Sequence, residues 1–169
     1  MRRFGSLLGI TLLLAACITA DPLAADPLAA ASPVQAEGSF TTLIDFGTLS
    51  ATPVGRNCEL EAALRLEFEG TLAGSAEGQL RVLVLAPCPD VFASPPGTFR
   101  DVFRASLTFT GTVNGRYSTA AIAYGGVTEP GGAVKGLLRV NSETARGALR
   151  VTAQAGAGGF YSGPLTGLP

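Results

Sequence analysis

Cys17, Cys58 and Cys88 are the only thiols in a chain of 169 residues that contains no histidine and no tryptophan. Without imidazole there is no Ser-His-Asp or Cys-His relay and no histidine-ligated metal. No Cys-x-x-Cys spacing marks a redox or zinc site. Ser75 follows Gly74, but Ala73 stands where a nucleophile elbow has its first glycine. Gly156-Ala157-Gly158-Gly159 lacks the third spaced glycine of a dinucleotide loop and leads into a strand pattern. The one dense group of carboxylates, Glu59, Glu61, Glu67 and Glu69, falls on alternate positions broken by Arg65. Along a strand its nearest neighbours would stand roughly 7 Å apart. Acid–base chemistry or weak binding of a cation or basic partner is open to such a row, and a solvated strand face is the plainer reading. Asp45, Asp90 and Asp101 are scattered, and nothing in the sequence brings them together. These residues predict a protein that is not an enzyme and uses neither cofactor nor metal.

The first cysteine has its own context. Arg2 and Arg3 precede a short apolar run from Leu7 to Leu14, and the small residues Ala15 and Ala16 stand just before Cys17, the layout of a secretory signal. A membrane-spanning helix needs about 20 apolar residues, more than the stretch before Asp21 supplies. Leu14-Ala15-Ala16-Cys17 resembles the lipobox of bacterial lipoproteins. The resemblance implies that the Cys17 thiol is acylated with fatty chains of the palmitate kind and that residues 1–16 are a signal peptide cut away before it. It further implies that the protein is held in the cell envelope by membrane lipid. One chain holds only marginally and two or three hold durably. Ile18 stands where an aspartate would resemble the inner-membrane retention signal of Gram-negative bacteria. In such an organism the implied destination is the outer membrane, facing the periplasm or the exterior. A soluble secreted protein, cut near Ala16 and left with an odd thiol, is the alternative.

With Cys17 acylated, Cys58 and Cys88 remain as an even pair in an oxidising compartment. They lie fifteen residues either side of Ala73, the centre of an expected hairpin whose open end their disulfide would clamp. Closing a loop of about 31 residues is worth roughly 3–4 kcal/mol.

The elements that carry these residues follow from composition and period. With Arg2 and Arg3 removed, ten basic residues face thirteen acidic ones, a balance that argues against nucleic acid as a partner. Glycine at 22 and proline at 11 lean towards a turn-rich all-β domain. Asp21-Pro22-Leu23-Ala24-Ala25 is repeated as Asp26-Pro27-Leu28-Ala29-Ala30. Such a segment cannot supply a core, so residues 17–37 read as the lipidated cysteine and a tether spanning roughly 25 Å.

From residue 38 to 169 the period is two. Phe40, Thr42, Ile44 and Phe46 form the first strand, and a loop from Pro53 to Asn57 delivers Cys58. Leu60, Ala62, Leu64, Leu66 and Phe68 fall on one face of a second strand although the segment is rich in helix formers. Gly74 to Gly78 is the expected turn, with Gln79 to Ala86 returning. Residues 87–101 read as a long loop. Val102 to Val113 is the clearest strand, and Asn114-Gly115 predicts a type I′ hairpin turn into a strand ending near Tyr124. A flexible loop is expected from Gly125 to Gly132, then strands over Ala133–Val140, Arg146–Ala153 and Gly159–Leu165.

Eight strands joined by short antiparallel links predict a single up-and-down barrel, favoured over a two-sheet sandwich because closure removes the sheet edges. The run weakly resembles small bacterial barrels of the calycin or allene-oxide-cyclase type, which implies the fold and no residues. The function expected is binding or structural. The candidate partners are an unknown envelope protein or an apolar small molecule carried inside the barrel. Asn114-Gly115-Arg116-Tyr117 is also similar to the Ser-Gly-x-x-Tyr loop of membrane-anchored lysozyme inhibitors. Asn114 replaces the serine and Tyr117 comes one position early, and the likeness implies an inhibitor of an envelope-directed hydrolase.

Overall fold

Apolar and polar side chains alternate along the strands between Val34 and Thr166, and strands consecutive in the chain lie side by side. The computed structural model describes residues 33–167. The signal segment, Cys17 and the Asp-Pro-Leu-Ala-Ala repeat lie outside the described residues. The strands are β1 (Val34–Val54), β2 (Asn57–Gly70), β3 (Leu72–Val84), β4 (Asp101–Val113), β5 (Arg116–Thr128), β6 (Ala133–Asn141), β7 (Arg146–Gln154) and β8 (Gly158–Thr166). One helical turn, α1 (Cys88–Phe92), interrupts the link from β3 to β4. Every neighbouring pair is antiparallel, and β8 returns to pair with β1 from Val34↔Leu165 to Thr41↔Gly158. That last ladder closes the sheet into an up-and-down barrel and disposes of the sandwich.

The inward parity expected for β2 holds, with Ala62, Leu64, Leu66 and Phe68 all buried. On β4 the same is true of Ala105, Leu107, Phe109 and Val113. Asn114 (φ 51°) and Gly115 (φ 79°) both take positive φ, the requirement of a type I′ turn.

The barrel has two unlike ends. At one, the tight turns around Thr71, Asn114-Gly115 and Ser142 converge where the chain enters at Val34, and the interior is filled. Phe68 is the hub there, with ring centroids 5.7 Å from Phe40, 5.9 Å from Phe109 and 5.8 Å from Tyr161. Tyr161 also closes this end with its hydroxyl, which accepts from the Leu72 backbone N–H at 2.8 Å and has the Glu69 and Leu72 carbonyls at 3.1 and 3.2 Å for its own proton. Gly38 makes that possible, since a Cβ there would lie 2.3 Å from the tyrosine oxygen.

Several expected boundaries move. β1 starts at Val34, inside the stretch read as tether, because Ala36 is fully buried against the interior and the strand pairs with β8. The loop expected before Cys58 is a tight turn at Gly55-Arg56, since Val54 pairs with Asn57. Gly74 and Gly78 are not a turn. The β2–β3 hairpin reverses at Thr71, and both glycines sit within β3, where a Cβ would come within 2.4 Å of the Thr110 carbonyl oxygen and 2.0 Å of that of Ser106. Likewise Gly125 and Gly126 belong to β5, which runs on to Thr128. In each case glycine serves close strand approach in place of a reversal.

Candidate functional site

The other end of the barrel is where the filling stops. Here the strands rise into the β1–β2 hairpin, the segment from Leu85 to Arg100 and the links after β5 and β7. Between them lies an open cavity of about 780 Å³, within the range of small-molecule sites. Its floor is the edge-to-face pair Phe103 and Tyr124, 4.9 Å between centroids. Tyr124 in turn meets Phe40 of the filled half at 5.9 Å. Ile44, Leu60, Leu80 and Val82 make the wall. Gly136 gives the Tyr124 ring its place, since a Cβ would meet that ring at 2.9 Å.

Two local devices shape the rim. On β1 the register breaks between Asp45↔Ala63 and Ser50↔Glu61, so residues 46–49 stand opposite Ala62 alone. The bulge is held by side chains: Asp45 Oδ1 accepts from the Gly47 N–H at 2.9 Å, and Thr48 Oγ1 accepts from the Ala63 N–H at 2.8 Å. It carries Phe46 and Leu49 to the cavity, Phe46 remaining 67% exposed. The second device is the disulfide. Cys58 and Cys88 are bonded, with Cα atoms 4.8 Å apart. Because the hairpin reverses at Thr71, Cys58 faces Val84 across the ladder, and the turn of helix at α1 brings Cys88 back to it. The bond anchors a second apolar cluster of Val84 and Ala86 with Leu60, Val82, Val91 and Phe99 packed on it. The long-loop expectation is thereby corrected in part, since α1 orders its first residues and Phe92, 62% exposed, joins the rim.

One polar group stands out in the apolar lining. Asp101, the first residue of β4, shares inward parity with Phe103 and Ala105 and lines the cavity. Its Oδ1 is, among the described residues, the buried side-chain oxygen or nitrogen that has no hydrogen-bond partner. Burial raises its carboxyl above the ordinary 3.8, and Thr128, opposite it across the β4–β5 ladder, offsets part of that through its hydroxyl and backbone N–H. Burial likewise holds the Tyr124 hydroxyl far above the usual tyrosine range, so it stays neutral. In the sequence Asp101 stands only as one of three scattered aspartates, with no sign of the cavity it lines. Extending the odd-numbered inward parity of β4 back by one step places Asp101 inward.

A raised carboxyl binds its proton more tightly in the folded chain than in the unfolded one, so folding is favoured below the unfolded value. That advantage is lost as pH rises through the folded one. Asp101→Asn removes the cost of burying the charge while keeping the shape. The variant is expected to melt about 3 °C above the parent at pH 7, with the gap closing as pH falls to 4, in a series of thermal scans.

The remaining sequence candidates are placed as follows. Glu59, Glu61, Glu67 and Glu69 lie along β2, with Glu61 paired to Arg81 and Glu67 to Arg65, which also reaches Glu77 at 2.8 Å. Among the described residues no group of three or more histidine, cysteine, aspartate or glutamate side chains could hold a metal ion. Asp45 is spent on the bulge and Asp90 sits on α1, so the three scattered aspartates do not meet. Asn114 and Tyr117 belong to the hairpin at the filled end, away from the cavity, with Tyr117 74% exposed. Among the described residues no helix is long and apolar enough to cross a membrane.

No protein-family model matches the chain, and no curated protein matches it. Among solved structures it is similar to a protein of unknown function of the DUF3224 family from Shewanella oneidensis. That similarity has 18% identity and a TM-score of 0.57, covering 79% of this chain and 96% of that one. At this identity the likeness shows a shared fold.

Proposed function

We propose that this protein is a lipid-anchored cell-envelope barrel that binds an apolar small molecule in its open end. The observation that carries the proposal is the contrast between the halves of one barrel: a close-packed aromatic interior at one end and a cavity of about 780 Å³ with apolar walls at the other. Solvated apolar walls gain on being covered, by roughly 25 cal/mol per Å², so an apolar guest of matching size supplies what the core does not. The first strand begins at the filled end, where Val34 pairs with Leu165. The anchor rests on the leader and on the lipobox resemblance at Cys17.

The test is titration of the purified protein, free of detergent, with the neutral dye N-phenyl-1-naphthylamine. Mass analysis of the N-terminal peptide from the native host accompanies it. At about 0.4 kcal/mol per heavy atom the dye should bind one to one with a dissociation constant near 10 µM. The peptide should begin at an acylated Cys17. Dye fluorescence that fails to saturate removes the binding role, and an unmodified thiol with an uncut leader removes the anchor.

A further inference from the structure

The cavity's charge pattern narrows the guest. Among the described residues neither arginine nor lysine lines it. Arg100, the residue before Asp101, is engaged with Glu129 at 3.5 Å. Glu61, the other carboxylate beside the cavity, is paired with Arg81. Asp101 is left as the carboxyl without an ionic partner. Thr128, 3% exposed, and the hydroxyl of Tyr124 stand on the same side, both on the inward face of β5. Thr42, Ser94, Thr98 and Gln154 add uncharged polar groups elsewhere on the lining, so Asp101 is the one carboxyl there that has no ionic partner among the described residues.

A buried carboxyl oxygen with no partner costs about 1–3 kcal/mol. Such a cost is a mark of a site whose partner arrives with the ligand. The aspartate χ2 torsion is broad, so a rotation well short of a half-turn can bring the covered Oδ1 towards the cavity without moving the backbone. Resting on the reading of the cavity as a binding site, we infer that its guest is an apolar molecule carrying a hydrogen-bond-donating head group, an amine before a hydroxyl, and that Asp101 receives that group. An anionic head such as a fatty acid's finds no cation here and meets a carboxylate. An ammonium finds one acceptor of opposite charge, and a hydroxyl finds an acceptor without the charge.

The experiment displaces N-phenyl-1-naphthylamine from the purified protein at pH 7.5 with dodecylamine, dodecanol and dodecanoate, each below its aggregation concentration. The expected order is amine, then alcohol, then carboxylate, with at least tenfold between the ends. In Asp101→Asn the amine should lose about tenfold and the alcohol little, so that the order flattens. This variant keeps the shape of the site, and its melting temperature checks that it folds. Dodecanoate binding as tightly as dodecylamine would overturn the inference, as would an unchanged order in the folded variant, while leaving the cavity's binding role intact. Failure of the dye itself to bind would instead bring down the reading beneath it.

Discussion

Replacing Cys58 and Cys88 together by alanine is expected to lower the unfolding free energy by about 3–4 kcal/mol and the melting temperature by about 10 °C. The bond closes a loop of 31 residues, Cys58 to Cys88, and in the chain-entropy model its loss returns that loop's freedom to the unfolded chain. The folded state suffers too, because Cys58 and Cys88 are themselves members of the small cluster with Val84 and Ala86. The loss should be local in character. Phe68, Phe109 and Tyr161 at the filled end belong to a separate cluster from the bond, whereas Val91 of α1 and Phe99 pack on the bond's own cluster. Hydrogen exchange should therefore rise first at residues 85–100, and affinity for the dye should fall with it. Adding dithiothreitol should move the parent towards the variant and leave the variant where it was. A double alanine variant within 1 °C of the parent would show that the loop is held by packing alone.

Val82→Trp is expected to weaken dye binding by tenfold or more without lowering stability. Val82 points inward between Leu60 of β2 and Phe103 of β4, and its side chain forms part of the cavity wall. An indole there enters empty volume, so the usual overpacking penalty does not arise, and filling a cavity commonly adds stability. The measurement is the same fluorescence titration together with a thermal scan. Weakened binding in a variant that melts at or above the parent places the guest in the mouth. Undiminished binding by a folded variant would move it elsewhere on the protein.

Much of the barrel is legible in the sequence. Residue parity along β2 and β4, the positive-φ turn at Asn114-Gly115 and the partnership of Cys58 with Cys88 are all local or nearly local facts. A strand shows two faces to every neighbour, and only one type of residue suits each. The glycines were misread because the sequence signal is the same for two opposite uses. Gly74, Gly78, Gly125 and Gly126 lack a side chain so that strands can lie close, while Gly115 lacks one so that the chain can reverse, and the difference appears only when the facing strand is known.

The cavity lay further beyond reach. Alternation tells that Ile44, Leu80 and Val82 face inward but not how far away the opposite wall stands. That distance is set by ring closure, by the bulge at residues 46–49 and by where the aromatic rings of distant strands settle. Phe40, Phe68, Phe109 and Tyr161 gather at one end, so the chain spends its large side chains there and leaves the other end open. Sequence determined which side of the sheet each residue faces. Closure of β8 on β1 decided what it faces across the interior, because eight strands share one space whose filling is a property of all of them together.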